Sequence, residues 1–144
     1  MRSREQYIVQ GPESLAPAQL LALVVGTGAG GRSASEISDA LLERFYRERL
    51  GPWWPSERAL VDDGYRDVAF PFETLPMPEL TLEADWDLAQ LGGYLSTWSA
   101  YRRCRAETGL DPLPGLLGQL AMPWGDPSQT RRVRWPLHLR VGRA

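Results

Sequence analysis

The sequence predicts an α+β fold, with an N-terminal helix-hairpin-helix unit followed by helices packed on a small antiparallel strand pair. Three observations lead there. Apolar residues recur at helical spacing in residues 20–24, 37–45 and 91–101, whereas residues 80–86 and 132–141 alternate apolar and polar. Between the first two helical stretches lies the run Gly26-Thr-Gly-Ala-Gly-Gly31, a chain reversal rather than a continuous helix.

The first element follows a turn at Gly11-Pro12-Glu13. Leu15, Leu20, Leu21, Leu23 and Val24 then place a short apolar stripe on a helix ending at Gly26. The second helix starts near Ser33, where Ser33 and Glu36 have the spacing of a capping box, and Ile37, Ala40, Leu41 and Phe45 supply its expected buried face. A glycine-rich turn that opens a helix offers bare backbone N–H groups and the positive helix end to an anion, so phosphate is the natural ligand.

Two kinds of phosphate compete for that turn. If residues 20–25 form a strand, Gly26, Gly28 and Gly30 become the glycine loop of a dinucleotide or S-adenosylmethionine site. Against that reading, Val24 stands where a methyltransferase usually carries an acid, and no second strand with a ribose-binding carboxylate follows. If residues 20–25 are helical, the turn is a hairpin that can grip backbone phosphate. A third reading is structural, the glycines merely permitting a tight turn.

Further along, Pro52 and Pro55 bracket Trp53 and Trp54, which read as packing anchors, and Arg58, Leu60 and Val61 mark a short helix. Leu80, Leu82, Ala84 and Trp86 alternate with Thr81, Glu83 and Asp85. Val133, Trp135, Leu137, Leu139 and Val141 alternate with Arg132, Arg134, His138 and Arg140, and Pro136 marks this second strand as an edge or bulge. Antiparallel pairing of the two strands would set Glu83 and Asp85 on one face with Arg132 and Arg134. Between them a helix over 87–108, capped by Gly109, carries Leu91, Tyr94, Leu95, Trp98 and Tyr101, and a shorter one is expected over 113–120 before the turn at Trp124.

The chain has 144 residues, 43% of them apolar, enough for one domain with a real core or for two undersized ones. A net charge of -2 excludes a globally cationic nucleic-acid binder. The charge is unevenly placed, with acids concentrated in residues 48–87 and arginines in residues 102–143; lysine is absent. Cys104 is the one cysteine, so it has no internal disulfide partner and reads as a structural thiol. No apolar run approaches the roughly 20 residues of a membrane span, and the N-terminus is too polar for a signal peptide, so a cytoplasmic protein with no membrane partner is expected.

Candidate chemistry is sparse. Asp62 and Asp63 are adjacent and read as a helix-end pair rather than an acid-base couple. His138 is the one histidine and has no acid or nucleophile at a recognisable spacing, so neither a catalytic residue nor a metal site is assigned.

Gly11-Pro-Glu-Ser-Leu, Gln19-Leu-Leu-Ala-Leu, Gly26-Thr-Gly, Gly31-Arg-Ser-Ala and Leu41-Leu-Glu-Arg-Phe resemble, in order and spacing, the N-terminal domain of RadC-like proteins, the UPF0758 N-terminal region. The resemblance implies a helix-hairpin-helix module that grips DNA backbone phosphates weakly and without reading sequence, with Gly26, Gly28, Gly31, Arg32 and Ser33 at the gripping positions. Gly30 departs from the family, which usually has a basic residue there. The second hairpin and the metalloprotease-like domain that follow in RadC-like proteins have no counterpart here.

Beyond Phe45 the resemblance changes. Phe45-Tyr-Arg-Glu-Arg-Leu-Gly-Pro, Val61-Asp-Asp-Gly-Tyr, Phe70-Pro-Phe-Glu, Gly93-Tyr-Leu-Ser-Thr-Trp-Ser-Ala and Trp135-Pro-Leu-His-Leu-Arg-Val-Gly are similar to the C-terminal part of class I S-adenosylmethionine-dependent methyltransferases of the type 11 or trans-aconitate methyltransferase-like group. This implies the last antiparallel strands of a larger sheet and the helices that cap an acceptor pocket, with Tyr94 and Trp98 as lining residues; their spacing alone reads as core. The cofactor-binding Rossmann half has no counterpart. The expected division is therefore 1–45 and 46–144.

Three functions stay open at this point. One is a DNA-phosphate module on a methyltransferase remnant without catalysis or cofactor. The second is a methyltransferase-derived protein binding S-adenosylmethionine through Gly26, Gly28 and Gly30. The third is an inactive fusion whose exposed strands need a partner chain.

Overall fold

A computed structural model of the chain describes residues 5–9, 34–137 and 139–144. The expected first helix, the 26–33 hairpin, the Ser33 cap and His138 lie outside the described residues. What is described is α+β. In order, the elements are β1 (Glu5–Val9), α1 (Ala34–Arg44), α2 (Arg58–Asp62), β2 (Glu73–Leu75), β3 (Leu80–Trp86), α3 (Leu88–Leu95), α4 (Ser99–Thr108), α5 (Leu113–Trp124), β4 (Arg131–Leu137) and β5 (Leu139–Arg143).

The helix of α1 does not stop at residue 45. It runs on as a π-helical turn over Phe45–Arg49, closed where the Leu50 N–H donates to the Phe45 carbonyl at 2.9 Å, and a short 3-10 turn follows over Gly51–Trp53. Leu42, Phe45, Tyr46 and Leu50 all face the core. The boundary expected at residue 45 thus falls inside one helical run, and residues on both sides of it enter the same apolar cluster.

The buried stripe of α1 is rotated from the expected one. Ile37 is 40% exposed, while Ser38 is fully buried. A serine can take that place because its hydroxyl donates to the Ala34 carbonyl one turn back, at 2.9 Å, leaving no unpaired polar group.

The expected single helix over 87–108 is two helices. Asp87 caps α3 through a reciprocal pair, its Oδ1 accepting from the Gln90 N–H and its own N–H donating to Gln90 Oε1. The helix ends where the Ser96 and Thr97 hydroxyls turn back onto the Gly93 and Tyr94 carbonyls, at 2.6 and 2.7 Å, and Trp98 adopts an extended backbone before α4. Gly109, left-handed at φ 72, closes α4 as expected. The α5 helix extends past residue 120 to Trp124, and Gly125, at φ 85, ends it. α3 and α5 approach closely at Gly92, where a Cβ would stand 2.9 Å from Leu117 Cδ1.

The last alternating stretch is likewise divided. β4 pairs antiparallel with β3, whereas β5 lies between β1 and β2 in a second, three-stranded sheet. Strand β1, from the N-terminal segment, pairs with β5 over Glu5↔Arg143 to Val9↔Leu139, so the two ends of the chain lie in one sheet. Register in the β3–β4 pair is as expected, with Glu83 opposite Arg134 and Asp85 opposite Arg132. Among the described residues the apolar face of β3 is covered at its Trp86 end, next to α3; Leu80 and Leu82 are 37% and 44% exposed.

Candidate functional site

The residues expected to contact phosphate, Gly26, Gly28, Gly31, Arg32 and Ser33, lie outside the described residues, as does Gly30 of the cofactor reading. The described structure resumes immediately after them. Helix α1 begins at Ala34, directly after Ser33, and is fixed to the core by Leu42 and Phe45. A helix anchored at its far end holds its N-terminal N–H groups in one direction, which an anion site needs.

Tyr94 and Trp98 are brought together, with ring centroids 6.0 Å apart, at the centre of an aromatic cluster. Trp98 is buried and meets Phe45, Tyr46 and Trp54 at 6.5, 5.7 and 5.7 Å. Half-buried Tyr94 meets Trp86 and Trp135 at 5.2 and 5.5 Å. Tilted and edge-on contacts of this kind add to the apolar burial of the rings. The cluster joins α1 and its π turn to α3 and to the β3–β4 pair.

One polar site was not foreseen. The Tyr46 hydroxyl donates to Asp62 Oδ1 at 2.9 Å and accepts from Arg58 Nε, and the Arg58 guanidinium lies 4.7 Å from the Trp54 ring centroid. Arg58 and Asp62 approach to 3.6 Å. Burial holds the Tyr46 phenol neutral far above its ordinary range, the nearby Arg58 opposing that shift only in part. Asp62 stands at the end of α2, as expected, and also accepts from this buried phenol. The residue types were visible in the sequence; their convergence depends on the turn at Pro52 and Pro55.

A second unforeseen arrangement holds the end of β5. Arg140 donates to the Val68 carbonyl at 2.6 Å and to the Tyr65 carbonyl at 3.3 Å, and its guanidinium stands 4.6 Å from the Phe70 ring centroid. The preceding turn needs two successive left-handed residues, Gly64 at φ 63 and Tyr65 at φ 57.

On the solvent face of the β3–β4 pair, Arg132 clasps Asp85 through two contacts of 3.0 Å and reaches Glu83 at 3.4 Å, while Arg134 Nε lies 2.8 Å from Glu83 Oε1. The hydrogen bonds from Arg132 hold the Asp85 carboxyl below its ordinary value. Cys104 is buried. Among the described residues no group of three or more His, Cys, Asp or Glu is arranged to hold a metal ion, and no helix is long and apolar enough to cross a membrane.

Comparison with known proteins finds both resemblances. Residues 1–52 match the family model described as UPF0758 N-terminal. A UPF0758 protein of Methylibium petroleiphilum is 44% identical over 45 residues, which are 31% of this chain and 20% of that protein. A methyltransferase candidate of Dictyostelium discoideum is 32% identical over 75 residues, 51% of this chain and 28% of that one. The solved structure of a type II methyltransferase candidate from Anaeromyxobacter dehalogenans superposes with a TM-score of 0.70 at 42% identity, over 74% of this chain and 46% of that one. The chain thus combines UPF0758-like and methyltransferase-like features, and it spans less than half the length of each of these three proteins.

Proposed function

We propose that the chain is a weak, sequence-independent binder of DNA backbone phosphate, with residues 26–33 as the gripping hairpin and the methyltransferase-like remainder as a scaffold without catalytic activity. The carrying observation is the UPF0758 N-terminal match over residues 1–52, which takes in Gly26, Gly28, Gly31, Arg32 and Ser33 together and runs on into the π turn. Anchoring of α1 in the core supports it, because the helix that follows Ser33 in sequence is held in place by Leu42 and Phe45.

Fluorescence anisotropy with a labelled duplex tests this reading. Binding is expected at low salt, with the same affinity for unrelated sequences, and loss of affinity on Arg32→Glu. Neutralisation to Arg32→Gln is expected to lower the slope of log affinity against log salt by about 1. Absence of binding at low salt, or an Arg32→Glu protein that binds as well as wild type, contradicts it. Saturating S-adenosylmethionine, which the cofactor reading of Gly26, Gly28 and Gly30 requires to stabilise the fold, is expected to leave the melting temperature unchanged.

The open face of β3 favours one addition to this reading. Leu80 and Leu82 are exposed side by side on a two-stranded sheet, an arrangement suited to a partner chain. Sedimentation velocity checks it: association lost in Leu82→Glu is the expected result, and a monomer at all concentrations that captures no second chain is the contrary one.

A further inference from the structure

A groove of about 380 Å³ opens between α1 with its π turn on one side and α5 on the other. Its walls come from both sequence segments, Leu41 and Phe45 from the first and Pro112 and Leu116 from the second. Phe45 and Leu116 are almost wholly buried and form an apolar floor. At Gly115, on the same wall, a Cβ would meet nothing within 4 Å, so the groove is open there for want of a side chain and not because the helix is loose.

The polar rim is unevenly charged. Arg44, Glu48 and Arg49 line it, and Glu48 is engaged by Arg44 at 3.5 Å. Arg49 has no ion pair or hydrogen bond among the described residues. The Gln119 amide completes the rim. An apolar trough with one uncommitted guanidinium and a neutral amide at its mouth has the complement of a carboxylate carrying an apolar tail.

We infer that this groove is a binding site for a small amphipathic carboxylate of the fatty-acid class, its tail lying on Phe45 and Leu116 and its carboxylate meeting Arg49. The guanidinium presents paired N–H donors matched to the two carboxylate oxygens, whereas an alcohol of the same length offers no charge to it. The inference does not depend on DNA binding, since Arg49 and Gly115 lie outside residues 26–33.

The test is titration of the full chain with decanoate, and separately with decanol, followed by amide NMR and calorimetry. Saturable decanoate binding is expected, with shifts confined to residues 41–49 and 112–119 and decanol at least about tenfold weaker. Arg49→Glu is expected to weaken decanoate by a similar factor and to leave decanol unchanged. Gly115→Leu, whose side chain would occupy the trough from a position where a Cβ meets nothing, is expected to abolish both. Absence of saturation overturns the inference, as do equal binding of the two ligands and an Arg49→Glu protein that binds decanoate as wild type does. Displacement shifts across residues 15–25 would also overturn it, by showing that the groove is occupied by the chain's own apolar segment.

Discussion

The aromatic centre and the β3–β4 ladder are both built from contacts between residues far apart in sequence, yet they contribute to stability in different ways. At the centre, Phe45, Tyr46, Trp54, Tyr94 and Trp98 bury ring surface out of water, and the Tyr46 hydroxyl drawn in with them is paired on both sides. Along the ladder, Glu83, Asp85, Arg132 and Arg134 keep 40–53% of their side-chain surface in solvent. Charges so placed are screened and set register more than they add stability. The seam expected at residue 45 lies in the first region and not the second, so residues on its two sides are joined by packing.

That contrast can be broken at its strongest point. Trp98→Ala removes the ring that touches Phe45, Tyr46, Trp54 and Tyr94, and should cost about 3–5 kcal/mol in urea unfolding followed by far-ultraviolet circular dichroism. Next in size is Gly142→Ala in β5. A Cβ there would stand 2.7 Å from Phe70 Cε1 and meet Phe72 as well, so a loss of about 1–3 kcal/mol is expected by the same measurement.

Smaller, and more telling, is Tyr46→Phe. It leaves the ring in place and removes the partner of both Arg58 and Asp62, for an expected loss of about 1–2 kcal/mol. It should also alter the alkaline limb of stability. The folded phenol stays protonated above the value near 10 at which the unfolded chain ionises, so wild-type stability should fall as pH rises above about 10 and continue falling until the folded phenol itself ionises. The variant should show a shallower decline, the remainder coming from Tyr101, whose value burial also raises.

The smallest effect belongs to the ladder. Asp85→Asn removes a carboxylate whose folded value lies below its unfolded one, so what it contributes is present above pH about 3.8 and lost as pH falls through the folded value. Unfolding midpoints between pH 5 and about 2 should therefore drop less steeply in the variant than in wild type. At neutral pH the difference should vanish in high salt; a ladder that proved as costly to break as the aromatic centre would erase the contrast.

Much of this was legible in the residues, for reasons that differ by element. The β3–β4 register could be read because the two-residue period places Glu83 and Asp85 on one face of their strand and Arg132 and Arg134 on one face of theirs, and opposite charges then select the pairing that brings the two onto the same side of the sheet. Gly109 was legible as a cap because a left-handed residue after a helix is almost always glycine. The break after Leu95 was not. Ser96 and Thr97 are tolerated inside helices, and here their hydroxyls turn back onto the helix carbonyls just before Trp98 enters the aromatic centre.

The strand exchange between Leu137 and Leu139 was hidden for a similar reason. Alternation continues unbroken through Leu137 and Leu139, while the pairing partner changes from β3 to β1 and β2. Nor could spacing show that Tyr46, Arg58 and Asp62 converge, since the π turn and the prolines after it bring them together. As to the candidate site, the resemblance that marks Gly26 to Ser33 is also the one the family comparison finds over residues 1–52.

The account stands on the two segments sharing one cooperative core, and native-state hydrogen exchange measures that directly. Amides of Leu42 and Tyr46, on either side of the seam, should open with the same free energy as those of Leu91 and Leu95 in α3, equal to that of global unfolding. If the α1 amides exchange through a much smaller opening while α3 stays protected, the N-terminal segment is an appendage and the shared core is wrong.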